Sequence, residues 1–146
     1  GTTERMRKVL LEIPTHEEVN YIDQSLMAYN HSREPFLQTN PFIPVNRCLK
    51  NENGEVIAGV LATLVCWHVL YVDVLWVDPR YRRQGYGSQL LAEAEKVAKA
   101  LGGYLVHLST FDFQAKAFYL MCGYEIFGVL EDCPRGHLEY FLKKKL

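Results

Sequence analysis

Apolar residues recur along the chain with two periods, and each period predicts its own kind of element. Alternation and β-branched runs predict strands over residues 5–12, 45–50, 56–66, 68–77, 104–108, 124–130 and 137–142. A helical period predicts a first helix after Thr15-His16-Glu17-Glu18, which resembles a capping box, with Val19, Ile22, Leu26 and Tyr29 on one side. A second runs from Tyr86 or Gly87 to Leu101, with Leu90, Leu91, Ala94, Val97 and Ala98 on its apolar side, and Gly102-Gly103 stops it. A short third helix is expected over 113–121, ending before Gly123.

The connections sharpen this order. Asn53-Gly54 lies between two strands and suits a tight hairpin, and the next strand follows almost at once, so three consecutive strands read as an antiparallel meander. Residues 32–44, with Pro35-Phe36 and Pro41-Phe42, read as an irregular loop or broken helix able to wall a pocket. The run Lys143-Lys144-Lys145 reads as the solvated end of the last strand. The resulting expectation is an α/β fold with a mixed sheet and helices on both faces.

Length and composition then limit the function. A chain of 146 residues supports one domain spanning 1–146 with one sizeable core. A net charge of -1 and 49% hydrophobic residues favour neither a nucleic acid nor an anionic membrane as the main partner. Cys48, Cys66, Cys122 and Cys133 have no metal-ligand spacing, no metal is expected, and the opening residues lack a secretion pattern. The expected location is therefore the reducing cytoplasm, with free thiols.

Candidate chemistry gathers at one turn. The β-rich run ending Leu75-Trp76-Val77 passes through a basic turn, Asp78-Pro79-Arg80-Tyr81-Arg82-Arg83-Gln84-Gly85, into the helix that carries Gly87 and Ser88. A helix start leaves backbone N–H groups without internal partners, so an anionic phosphate there collects several donors. Gly85 and Gly87 remove side chains that would obstruct it, and Arg80, Arg82 and Arg83 add mobile positive charge. The turn lacks the third glycine of a dinucleotide fingerprint and the Gly-Lys-Ser/Thr ending of a triphosphate loop.

Arg82-Arg83-Gln84-Gly85-Tyr86-Gly87 resembles the Gln/Arg-x-x-Gly-x-Gly/Ala motif of the GCN5-related N-acetyltransferases, the GNAT family. The segment from Ala115 to Tyr124, with Phe118, Tyr119 and Gly123, resembles that family's second pattern, Ala-x-x-(Leu/Phe)-Tyr-x-x-x-Gly-(Phe/Tyr). The resemblance implies a central, mostly antiparallel sheet with a splayed parallel pair, here 68–77 and 104–108. It also implies acetyl-CoA as cofactor, its pyrophosphate held by main-chain donors of Arg83, Gln84, Gly85, Tyr86, Gly87 and Ser88, with Arg82 at the motif's first position. Its pantetheine arm would lie between the splayed strands, and a backbone N–H near Leu75, Trp76 or Val77 would polarise the acetyl carbonyl. Ala115, Phe118 and Tyr119 would complete the cofactor site. Asp112 stands where the family often has asparagine; a carboxylate there still caps a helix but cannot donate an amide hydrogen bond. Homodimers built through sheet edges or last strands are a further implication.

Tyr119 occupies the position of the family's frequent general acid. Asp73 shares strand parity with Tyr71, Leu75 and Val77 and reads as the base or amine-binding group, with a structural acceptor as the alternative. His107, and the pair His137 and Glu139, are further candidates beside ordinary structural roles. The acceptor surface is expected from 21–42 and 130–137, for a small-molecule or protein amine. The expected function is N-acetyl transfer from acetyl-CoA to a primary amine in a ternary complex. The alternatives are a non-catalytic CoA-binding or interaction module of the same fold, and an acyltransferase with another acyl group or acceptor.

Overall fold

The computed structural model describes residues 8–146, which fall into two units divided between Pro35 and Phe36. In the first unit, α1 (His16–Arg33) begins where predicted. The Glu18 N–H donates to Thr15 Oγ1 at 3.2 Å and the Thr15 N–H donates to Glu18 Oε1 at 2.8 Å, a reciprocal capping box. The strand expected over 5–12 is not formed over 8–12, because no sheet strand pairs with this segment. Residues 5–7 of that expectation lie outside the described residues.

The second unit holds a seven-stranded mixed sheet in the order β1-β3-β4-β5-β7-β6, with β2 also paired to β3. Its strands are β1 (Phe42–Pro44), β2 (Arg47–Lys50), β3 (Val56–Val65), β4 (Val69–Val77), β5 (Leu105–Phe111), β6 (Glu125–Glu131) and β7 (Leu138–Lys145). Two helices accompany them, α2 (Tyr86–Ala100) and α3 (Lys116–Met121). All pairings are antiparallel except β4 with β5. The β2–β3 hairpin closes where Asn53-Gly54 predicts: Asn51 Oδ1 accepts from the N–H groups of Asn53 and Glu55, and Gly54 takes φ +79°.

Part of the expected loop over 32–44 is sheet, because residues 42–44 pair with Val65, Leu64 and Thr63 as β1. The rest is fixed at the β3–β4 turn. Gln38 is buried there, its amide donating to the Leu64 carbonyl at 2.9 Å and its oxygen accepting from the His68 N–H at 2.8 Å. Phe36 meets Trp67 edge-on at 5.5 Å.

One buried cluster joins both helices to the sheet. Ala58, Val60, Ala62 and Leu64 of β3, Leu70 and Val72 of β4, and Val106 and Leu108 of β5 pack with Leu90, Leu91, Ala94 and Ala98 of α2 and Tyr119 of α3. The alternation along β3 from Ala58 onward exposes an irregularity in β4. Ala58, Val60, Ala62 and Leu64 oppose Val77, Leu75, Val72 and Leu70, while Leu61 opposes Val74, so Asp73 is an extra, unpaired residue. This bulge corrects the parity expected for Asp73: Leu75 and Val77 face the core with Leu70 and Val72, and Asp73 does not share their face.

The parallel pair is short. Val69, Leu70 and Tyr71 pair with Leu105, Val106 and His107, and beyond that rung the two strands separate. From Leu108 to Phe111, β5 continues against β7 alone. Over Leu108 to Thr110 its edge toward β4 has no strand partner, while at Phe111 the N–H donates to Gln114 Oε1 at 2.8 Å and the carbonyl accepts from the Gln114 N–H at 3.0 Å.

Candidate active site

A cavity of about 620 Å³ opens where β4 ends and α2 begins. Leu75, Trp76 and Val77 line it from β4, Tyr81, Arg82, Arg83, Gly85, Tyr86, Gly87 and Ser88 from the turn and helix start, and Phe113, Gln114, Ala115, Phe118 and Tyr119 from the β5–α3 side. Two segments separated by α2 and β5 in sequence are thereby brought to one site.

Local backbone geometry explains the turn. Gly85 takes φ +83° as the residue before α2, a conformation costly for any side chain with a Cβ, and Arg83 takes φ +63° two residues earlier. No side chain caps α2, and its first internal bond is from the Gln89 N–H to the Gly85 carbonyl at 3.0 Å. The N–H groups of Tyr86, Gly87 and Ser88 are therefore without helical partners at the cavity wall. A Cβ on Gly87 would meet Phe118 at 3.5 Å and Val77 at 3.6 Å, both lining residues.

The three arginines differ. Arg80 is held by Asp78, Nη2 to Oδ2 at 3.1 Å and Nε to Oδ1 at 3.2 Å, and does not line the cavity, which corrects its expected part as a mobile cation. Those bonds hold the Asp78 carboxyl below its ordinary range. Arg82 donates from Nε to the Val77 carbonyl at 3.1 Å, tying the turn to the end of β4. Arg83 lines the cavity.

Gln84 and Asp112 do not line it. Asp112 does not cap α3 either, a correction with a clear cause. Its Oδ1 lies 2.8 Å from His137 Nδ1 and its Oδ2 accepts from the Leu138 N–H at 3.0 Å, so both oxygens are committed to the start of β7. Burial would raise the Asp112 carboxyl, and the bonds from His137 and Leu138 outweigh it, leaving the pKa below its ordinary value. The turn is shaped instead by Gln114, whose Oε1 accepts from the Phe111 N–H at 2.8 Å. Tyr81, Phe113 and Gln114 are lining residues not singled out from the sequence, although they adjoin the two motif segments.

Tyr119 places its ring in the core and still reaches the cavity. Burial, with the neighbouring Cys122 thiol, pushes its pKa up to about 12, so the phenol holds its proton throughout the neutral range. Burial first, and then the Glu95 charge, raise the Cys122 thiol and suppress the thiolate form a nucleophile needs. Asp73 lies in the bulge, outside the cavity lining, and His107 lies at the last rung of the parallel pair, its pKa lowered by burial. Glu139 accepts from the Cys133 thiol at 3.7 Å. Among the described residues no group of three His, Cys, Asp or Glu could hold a metal ion, and no helix is long and apolar enough to cross a membrane.

A mixed sheet with a forked parallel pair, and a helix start facing the fork, defines the acyl-CoA N-acyltransferase architecture. The model of the Acetyltransferase (GNAT) family matches residues 7–124, and the chain belongs to that family of acetyl-CoA-dependent N-acetyltransferases. It is 35% identical to a blasticidin-S acetyltransferase of Streptomyces morookaense over 94% of this chain and 100% of that protein. Identity is 29% to an acetyltransferase of Agrobacterium fabrum, over 96% of this chain and 99% of the other. A crystal structure of an acetyltransferase from Bacillus cereus superposes with a TM-score of 0.84 at 40% identity, covering 94% of this chain and 98% of that one.

The residues present fit acetyl-CoA. Uncapped N–H donors and Arg83 suit the pyrophosphate, the β5 edge left without a strand partner just beyond His107 suits the amides of the pantetheine arm, and Gly87 leaves room beside Val77 and Phe118.

Proposed function

We propose that this enzyme moves the acetyl group of acetyl-CoA to a primary amine of a small molecule by direct transfer with both substrates bound. The observation that carries this reading is the placement of Tyr119, the α2 N-terminus and the end of β4 beyond its pairing with β5 on the walls of one cavity. Acetyl-CoA supplies a thioester carbonyl for attack. The protein's part is to hold, orient and move protons. The N–H groups of residues 83–88 and the Arg83 guanidinium bind the pyrophosphate, and backbone donors near Leu75–Val77 receive the negative charge that develops on the carbonyl oxygen. The Tyr119 hydroxyl gives its proton to the departing sulfur. Asp73, freed from the ladder by the bulge, draws the cationic amine toward the fork.

Blasticidin S is the first acceptor to test, because the relative bearing that activity aligns along nearly the whole chain. Four free cysteines suit work in the cytoplasm. The test is calorimetric titration with acetyl-CoA, followed by thiol release with blasticidin S, a polyamine, an amino sugar, an amino-acid amide and a lysine peptide. Release confined to one amine class supports the proposal. Cofactor binding without release for any amine overturns it in favour of a CoA-binding module.

A further inference from the structure

We propose that His107 is the proton acceptor for the attacking amine, a role that rests on the N-acetyltransferase reading above. Tyr71 and His107 form the last paired rung before β4 and β5 separate, so the fork closes at this pair, four residues of β4 before Leu75. The core face of the fork is filled by Leu70, Val72, Val106 and Leu108 packed against α2, which closes it to a second substrate. An acceptor can therefore meet the apex only from the other face of the sheet.

That face is where His107 lies. Along β5, Val106, Leu108 and Thr110 are buried, and His107 and Ser109 occupy the alternate positions. The His107 and Tyr71 ring centroids are 5.1 Å apart at 46°, so the tyrosine holds the imidazole at the apex. Charged and titratable neighbours are few: Tyr71 from β4, and Lys143 of β7, which is paired with His107 in register and lies 3.9 Å from Glu125 of β6. Burial lowers the His107 pKa, which favours the neutral ring that can take up a proton.

The step balances. The amine nitrogen forms its bond to the carbonyl carbon held near Leu75–Val77 and gives one proton to the imidazole through bridging water, since the rung lies four residues of β4, about 13 Å, before Leu75. The C–S electron pair leaves with sulfur, which takes the Tyr119 proton. Solvent then returns the imidazole proton to the phenolate, so amine and acetyl-CoA give amide and free CoA with no other reactant.

The test compares wild type with His107→Gln and His107→Ala, using blasticidin S or whichever amine the wild type acetylates. The His107 midpoint is also measured by NMR in the unaltered protein. Both variants are expected to lose about 100-fold or more in kcat, to keep acetyl-CoA affinity within about twofold, and to lose the acidic limb of kcat/KM that matches the NMR midpoint. Free imidazole should partly restore His107→Ala, which a purely structural histidine would not allow. The acceptor amine's own titration persists in every protein and is thereby separated. Unchanged kcat and an unchanged limb, with wild type active, overturn the His107 role alone. A wild type that binds acetyl-CoA yet acetylates no amine overturns both this role and the reading beneath it.

Discussion

Lys144 donates to Glu95 Oε1 at 2.9 Å and, from the same nitrogen, to the Cys122 carbonyl at 2.9 Å, joining β7, α2 and the end of α3 through one side chain. Glu95 completes the link by accepting from the Tyr124 hydroxyl at 2.7 Å. Both charged side chains are largely withdrawn from water, 29% and 14% exposed. The carbonyl that Lys144 satisfies closes the helix carrying Phe118 and Tyr119, so this ion pair supports one wall of the cavity.

Removing one partner should therefore cost more than a surface ion pair would. Glu95→Ala leaves Lys144 and the Tyr124 hydroxyl without their acceptor, and Lys144→Met leaves the carboxylate and a helix-end carbonyl without their donor. Each is expected to destabilise the fold by about 2 kcal/mol. Urea unfolding of the two variants checks this; a loss under about 0.5 kcal/mol, typical of an exposed pair, would show that the contact is not maintained in solution.

Tyr119 yields a prediction about rate and pH together. Tyr119→Phe should lower kcat by about 100-fold or more while changing acetyl-CoA affinity little, because the ring and its packing against Phe118 and Tyr124 are retained. The folded phenol titrates at about 12, above the unfolded reference of about 10. Its raised pKa contributes stability that is fully present below pH about 10 and lost as pH climbs through about 12. Up to about pH 10, then, the phenol should cause no alkaline fall in kcat. A wild-type alkaline limb near pH 8 that vanishes in Tyr119→Phe would refute the assigned proton donor.

How much of this was legible in the sequence depended on distance along the chain. The capping box at Thr15 and Glu18 and the Asn53-Gly54 turn are local backbone requirements, and each stands where its residues predict, whereas Gly85, expected only to clear space, is also the left-handed residue before α2. The Asp73 bulge was invisible because a bulge exists only relative to a partner, and Asp73 is extra only against the unbroken ladder of β3. Asp112 was misplaced as a helix cap because its partners, His137 and Leu138, lie 25 and 26 residues away. The run 143–145 looked like a solvated end, yet it continues β7 and contains Lys144, whose partner Glu95 sits on another element.

The two turn glycines should fail in different ways. Gly85 has no atom within 4 Å of an added Cβ but has φ +83°, so Gly85→Ala should cost about 1 kcal/mol from backbone strain. Gly87 has an ordinary helical setting, and its added side chain would project beside Val77 and Phe118. Gly87→Leu is expected to keep the thermal midpoint within a few degrees and to weaken acetyl-CoA at least about tenfold, a loss of about 1.4 kcal/mol. Calorimetry with parallel thermal scans separates the two; equal effects of both substitutions on binding and stability would contradict the distinct roles.

The arginines permit a sharper comparison, since they lie within four positions of one another and carry the same charge. Arg83 lines the cavity and Arg80 is already neutralised by Asp78 outside it. Losing a charge-assisted bond to phosphate costs about 1.5–3 kcal/mol, so Arg83→Gln should weaken acetyl-CoA binding by about tenfold or more. Arg80→Gln removes only an exposed pair and should change affinity by less than about threefold. The difference should narrow as salt is raised, because screening acts on the Arg83 contribution. Calorimetric affinities at two ionic strengths give the answer, and equal losses for both substitutions would mean that the turn binds through its overall charge and not through the placement of Arg83.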